Sequence, residues 1–189
     1  MKTEESIIGG YAPDFEIPGI DKQVYHLGSY RQQFKAIAVV FMDDKSPEVH
    51  QYIDRLNQIQ AEFSPQGFTL IGIDSDYRTS SDGQDEAIAD SFGTMKKFAA
   101  ENKIAFPYLR DTTQDVAKSF RAKIIPTAFL LDDQAIIRYA GAIDDAPDSA
   151  EAVTENYLRN SIINLLSANA IAIDYVQPVG SPIQWRPKQ

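Results

Sequence analysis

Cysteine is missing from this chain of 189 residues. Its absence excludes disulfides, thiolate metal sites and every mechanism that needs a sulfur nucleophile. Histidine is scarce: His26 and His50 are the only two, too few for a zinc site built on imidazoles. Basic residues are outnumbered, 18 Lys plus Arg against 27 Asp plus Glu, giving a formal net charge of -9. A nucleic acid or an anionic membrane surface needs basic patches, so neither is expected as a partner. The negative charge is spread along the chain rather than blocked into a tail, which reads as solubility. No apolar run is long enough to span a bilayer. The segment Met1-Lys-Thr-Glu-Glu-Ser6 has no basic stretch followed by an apolar one, so no secretory leader is expected and the cytoplasm is the expected location.

What is present is ordinary for a globular protein, 43% apolar and 24% charged residues. The length suits one domain, residues 1–170 including a lead-in, followed by a tail over 171–189. In that tail Pro178, Pro182 and Pro187 forbid a long helix, so an extended path is predicted.

The organising stretch is Ala36 to Pro47. Ala36-Ile-Ala-Val-Val-Phe-Met42 is apolar and rich in β-branched residues, as a strand buried on both faces should be. Asp43-Asp-Lys-Ser46 is a polar loop, Ser46 is a candidate cap, and Pro47 fits the first position of a helix. Val49, Tyr52, Ile53, Leu56, Ile59 and Phe63 recur at helical spacing, and Ser64-Pro-Gln-Gly67 ends that helix. Phe68 to Ile73 is the next strand, parallel to the first if the crossover has the usual hand, with Asp74 and Asp76 at its carboxyl end. Tyr77 to Gln84 reads as an exposed loop. A helix follows with Ile88, Phe92, Met95, Phe98 and Ala99 inward, then a short helix ending near Phe120. Thr127 to Leu131 and Ala135 to Ala140 form a hairpin, and a last helix covers Thr154 to Ala168. A βαβ half followed by a ββα half is α/β with a central mixed β-sheet flanked by helices.

That order resembles the thioredoxin fold, and several stretches agree with it. Ala12-Pro-Asp-Phe15, Arg55-Leu56, Phe106-Pro-Tyr-Leu109 with Asp111, Gln114 with Val116-Ala117, Pro126, Gly141-Ala-Ile-Asp144 and Gly180-Ser-Pro-Ile-Gln-Trp185 stand in sequence and at spacings that resemble the redoxin branch of the thioredoxin superfamily. The resemblance is to peroxiredoxins of the alkyl hydroperoxide reductase and thiol-specific antioxidant type, over roughly Ala12 to Trp185. In such relatives the loop before the helix proline carries a lone cysteine or a Cys-x-x-Cys pair. Here the matching positions are Asp43, Asp44, Lys45 and Ser46, and Ser181 replaces a cysteine in the tail. A carboxylate forms no disulfide, and a serine hydroxyl is a poor nucleophile unless strongly activated. The family's thiol-based activity, peroxidase or disulfide reductase, therefore does not carry over by its known mechanism.

The resemblance implies that Pro126 follows a cis bond. It also implies that the backbone ahead of Pro126 can pair with an extended segment, a groove formed by Ile125, Pro126, Thr127 and Pro47. A protein or peptide partner, or a homodimer, is the corresponding expectation. Pro182, Ile183 and Trp185 are placed to cover this groove. Among other chemistries, Asp43, Asp44, Asp74 and Asp76 end two neighbouring strands and could hold Mg²⁺ or Ca²⁺. The plainer reading is a carboxylate at a helix N-terminus and Asx-turns, in which case no cofactor is expected. Ser46, His50 and Asp54 share one helix stripe and invite a hydrolase triad, but a cap followed by a solvated face is the simpler account. His26 has no evident partner in the sequence. Met42 is expected in the core, and Lys45 is expected as a surface cation.

Overall fold

The structure, a computed structural model, describes residues 6–188. In chain order its elements are β1 (Glu16–Pro18), β2 (Val24–His26), α1 (Leu27–Tyr30), β3 (Ala36–Phe41), α2 (Pro47–Phe63), β4 (Phe68–Asp74), α3 (Ile88–Glu101), β5 (Tyr108–Arg110), α4 (Asp115–Ser119), β6 (Ile124–Ile125), β7 (Thr127–Asp132), β8 (Ile137–Gly141), α5 (Tyr157–Leu166), β9 (Tyr175–Val176) and β10 (Ser181–Pro182).

One six-stranded mixed sheet runs β5-β4-β3-β7-β8-β9. The strand read as central is so: β3 lies parallel to β4 and antiparallel to β7, and all six of its residues are buried. Side chains alternate across it as the pleat requires. Ala38, Val40 and Met42 join one core with the α2 stripe, Met95, Phe98 and Leu158. Ile37, Val39 and Phe41 join the other with Phe15, Leu27, Phe120 and Phe129. In that second core the rings of Phe41, Phe120 and Phe129 meet at centroid distances of 5.2 to 5.7 Å. Burying each such ring contributes ~1.5–3 kcal/mol, with up to about 1 kcal/mol more per edge-to-face pair.

The expected stripe of α2 is buried in full: Val49, Tyr52, Ile53, Leu56, Ile59 and Phe63. Three expectations need correction. Ile88 is 57% exposed, because it opens α3 and lies ahead of that helix's buried residues, which begin at Ser91. The last helix starts at Tyr157 rather than Thr154, since Asp145 draws the Thr154 amide and hydroxyl into the preceding turn. Ser46 sits at the N-cap of α2 but makes no side-chain capping bond, because its hydroxyl is engaged by Asp43 instead.

The tail is extended, as the prolines require, and it is attached to the domain at both short strands. β9 extends the main sheet beside β8, where Gly141 (φ +128) leaves room for it: a Cβ there would stand 1.7 Å from the Val176 carbonyl oxygen. β10 pairs antiparallel with β6, Ser181 opposite Ile125 and Pro182 opposite Ile124.

Candidate functional site

The carboxyl ends of β3 and β4 and the segment ahead of β7 meet at one place. Register fixes this: Phe41 pairs with Thr127 on one side and with Ile73 on the other. The loop Asp43 to Ser46 therefore opens beside Pro126, whose bond to Ile125 is cis. The positions that resemble the redoxin centre are brought together around that loop.

Asp43 is 2% exposed and closes the loop on itself. Its Oδ1 accepts the Ser46 amide at 2.8 Å and its Oδ2 accepts the Ser46 hydroxyl at 2.9 Å. Across the sheet end, Asp76 is buried and lies within hydrogen-bond reach of Asp43. Two carboxylates are both acceptors, so this contact needs a proton on one of them. Burial pushes the Asp76 carboxyl up to about 7; the Asp74 and Asp43 charges add to that, and the hydrogen bond from Gln184 opposes it.

The neighbouring carboxylates have a different environment. Arg78 reaches from the loop after β4 to Asp74 and to Asp44, the latter at 2.7 Å. Arg110, paired with Asp74 in the β4–β5 register, places Nη1 3.0 Å from Asp74 Oδ1. Burial pushes the Asp74 carboxyl up, while both guanidiniums pull the other way. Arg78 stays protonated: burial works against its charge, and Asp74 and Asp44 hold it. Asp74 Oδ1 also accepts the Asp76 amide at 3.0 Å, an Asx-turn. Of the proposed Mg²⁺ or Ca²⁺ ligands Asp43, Asp44, Asp74 and Asp76, two already hold guanidinium groups: Asp44 pairs with Arg78, and Asp74 with Arg78 and Arg110. Among the described residues no three His, Asp or Glu side chains converge for a metal.

The suggested triad does not assemble. The Ser46 hydroxyl belongs to Asp43, the His50 ring contacts the Asp44 carbonyl oxygen at 3.1 Å and the edge of Phe98, and Asp54 is exposed. Lys45 is exposed and Met42 is core. His26 does have a partner: its Nε2 lies 2.7 Å from Asp14 Oδ2.

Of the groove residues, Pro47 opens α2 at the rim, and Thr127 donates its hydroxyl to the Ile124 carbonyl. Ile125 is covered, because β10 lies on the strand edge that leads into Pro126. Six tail residues cross the site. The Ser181 hydroxyl donates to Glu48 Oε2 at 2.8 Å. Ile183 is 3% exposed and donates its amide to the Lys123 carbonyl at 2.9 Å. Gln184 donates its amide to Asp76 Oδ1 at 3.0 Å and accepts the Tyr77 amide at 2.8 Å. Arg186 pairs with Asp85 and stacks over the Tyr77 ring, 5.0 Å from its centroid. Gln114 ties the underside, donating to the Ser75 and Gln184 carbonyls and accepting the Arg186 amide.

Sequence reasoning missed Arg78, Arg110, Glu48 and Gln184. Arg78 lies in the loop read as exposed, yet it is buried; within that loop Thr79 and Ser81 to Gln84 are exposed. The available signal was an arginine four residues after a strand-end aspartate, with a second arginine ending a neighbouring strand.

A family model described as the AhpC/TSA family matches residues 8–140. Among solved structures the chain is similar to a hypothetical protein from Sinorhizobium meliloti at 24% identity, covering 98% of each chain with a TM-score of 0.84. It is also similar to an uncharacterized conserved protein from Geobacillus kaustophilus at 27% identity, covering 96% of this chain and 94% of that one, with a TM-score of 0.85. A secreted disulfide oxidoreductase of Mycobacterium tuberculosis shares the thioredoxin-like fold at 14% identity, covering 82% and 95% with a TM-score of 0.55. A comparison with curated proteins finds no significant match.

Proposed function

The chain belongs to the AhpC/TSA family without a single cysteine, and from that premise we propose that it acts by binding an extended protein or peptide segment rather than by redox turnover. The observation that carries this reading is the β10–β6 pairing, in which an extended segment lies along Ile124 and Ile125 immediately ahead of Pro126. Strand addition of this kind draws affinity from main-chain hydrogen bonds and specificity from pockets for alternate side chains. The thiol that would react with a peroxide or a disulfide is replaced by Asp43, and that carboxylate is spent on Ser46. Metal-assisted chemistry is the weaker alternative, since Arg78 and Arg110 already neutralise Asp44 and Asp74.

The test has two arms on the full chain. Peptide panels followed by amide NMR should move the signals of Ile124, Ile125 and Thr127. Assays of peroxide consumption and insulin reduction should show no turnover. Blank panels together with an empty pull-down would remove the binding reading, and catalytic turnover would remove the redox-inactive one.

A further inference from the structure

The tail that fills the groove specifies what else would fit there. At Gly180 the backbone runs so close to β6 that a Cβ would stand 2.0 Å from the Ile125 carbonyl oxygen and 2.8 Å from its carbonyl carbon. Both obstructing atoms are backbone and cannot swing aside, so this position takes glycine alone. Next, Ser181 donates to Glu48, a carboxylate held on the first turn of α2, which selects a hydroxyl side chain. Pro182 is exposed and makes no demand. Ile183 enters the cluster that contains Phe41, Phe120 and Ile125, so its position selects an aliphatic residue. The Gln184 position must keep its N–H for Asp76, which excludes proline, while its exposed side chain bonds only within the tail, to the Pro182 carbonyl at 3.2 Å. Two residues on, Asp85 and the face of Tyr77 receive Arg186.

Resting on the peptide-binding reading above, we propose that this groove recognises a partner protein through an extended segment of one pattern. The pattern is glycine, a hydroxyl residue, any residue, an aliphatic residue, any residue but proline, any residue, and arginine. The chain's own Gly180 to Arg186 is the resident copy that the partner displaces. Two carboxylates that touch the tail, Glu48 and Asp85, lie toward its two ends in a chain of net charge -9, and Asp85 matches a basic residue at the end of the partner's segment. A partner segment of the same pattern would remake the bonds that the tail gives up, and Ile183 is the sole side chain between Ser181 and Arg186 that has to leave a buried position.

The experiment uses the full-length chain and two separate variants, Gly180→Val and Ile183→Asp, each of which drives its own tail out of the groove. Trp185, the chain's one tryptophan, reports release by its emission. The probe is a labelled synthetic peptide with the sequence Val179 to Pro187. Both variants should bind it roughly tenfold more tightly than the wild type, whose groove is filled. Probe peptides carrying Gly180→Val, Ile183→Asp or Arg186→Glu should each lose roughly tenfold or more. Equal binding of a scrambled peptide by the released variants would overturn the pattern and leave the peptide-binding reading standing. Binding of no peptide at all by a folded, released variant would overturn both. A dimer that forms at high concentration and is dissociated by the probe would assign the groove to a second copy's tail and overturn the separate partner.

Discussion

The amide nitrogen of Gln184 lies 3.0 Å from Oδ1 of Asp76, and Asp76 in turn faces Asp43 across the sheet end. The tail is thereby hydrogen-bonded to a carboxyl whose hold on a proton is strengthened by burial and by the neighbouring Asp74 and Asp43. Through the main chain, the protonation of one buried group is linked to closure of the groove.

A pH dependence follows. Burial, with Asp74 and Asp43 adding to it, raises Asp76 from an ordinary 3.8 to about 7 in the folded chain. Between those values the folded state holds a proton that the unfolded state has lost. Stability is therefore full below about pH 4 for this group, and it falls as the pH rises through about 7. Asp76→Asn keeps both contacts, its amide donating to Asp43 and its oxygen accepting from Gln184, without the titration. The variant should be more stable than the wild type at about pH 8 by ~1–3 kcal/mol, with the advantage shrinking toward acid. Urea unfolding followed by Trp185 emission at several pH values measures this. A variant that is less stable at every pH would contradict the shared-proton arrangement.

Arg78 is expected to be the most sensitive residue of the network. It lies between Asp44 and Asp74 and is 4% exposed, as befits a charge that only its partners make tolerable. Arg78→Met leaves Asp74 to Arg110 alone and strips Asp44 of its cation, which should cost about 3–5 kcal/mol in chemical denaturation. Arg78→Lys should rescue little of that, because one ammonium cannot reproduce a planar fork reaching two carboxylates.

The same network decides the metal question by calorimetry. Titration of the full chain with Mg²⁺ or Ca²⁺ should give no binding heat and no rise in melting temperature. A bound cation at Asp44 and Asp74 would have to displace two guanidiniums held within 3.3 Å of their oxygens. A clear isotherm would restore the strand-end carboxylates as a metal centre.

The scaffold was largely legible in the sequence because it is written in short-range pattern. The β-branched run of β3, the helical spacing of Val49 to Phe63 and the prolines of the tail each act on their own element. The site was legible by position but not by chemistry. Asp43, Asp74 and Asp76 stand out by their places at strand ends, yet their meaning depends on Arg78 and Arg110, and on Gln184, which is 108 residues from Asp76. Periodicity does not say which charges meet. Ser46 has the type and the place of a cap, but a carboxylate three residues earlier takes its hydroxyl. His26 is solitary in the sequence because Asp14 is 12 residues earlier and comes beside it only when β1 pairs with β2.

One long-range pairing ties two of the recognised stretches to each other and gives a last test. Arg55 of the Arg55-Leu56 pair on α2 places Nη1 2.9 Å from Oδ2 of Asp144, the end of Gly141-Ala-Ile-Asp144. The Tyr52 hydroxyl donates to the other oxygen at 2.8 Å, and the guanidinium lies over the Tyr52 ring at 4.5 Å. Asp144 is 2% exposed at its side chain, so its charge depends on these donors and on the Ala146 amide. The bridge joins the middle of α2 to the loop leaving β8, across the sheet face that α5 also covers. Arg55→Leu should destabilise by about 2–4 kcal/mol, and Asp144→Asn by less, since the amide oxygen still accepts from Tyr52. In a double-mutant cycle the two changes should couple by ~1 kcal/mol or more, because they remove one shared contact. Additive effects would mean that the two stretches are held together by apolar packing alone, with the ion pair a bystander.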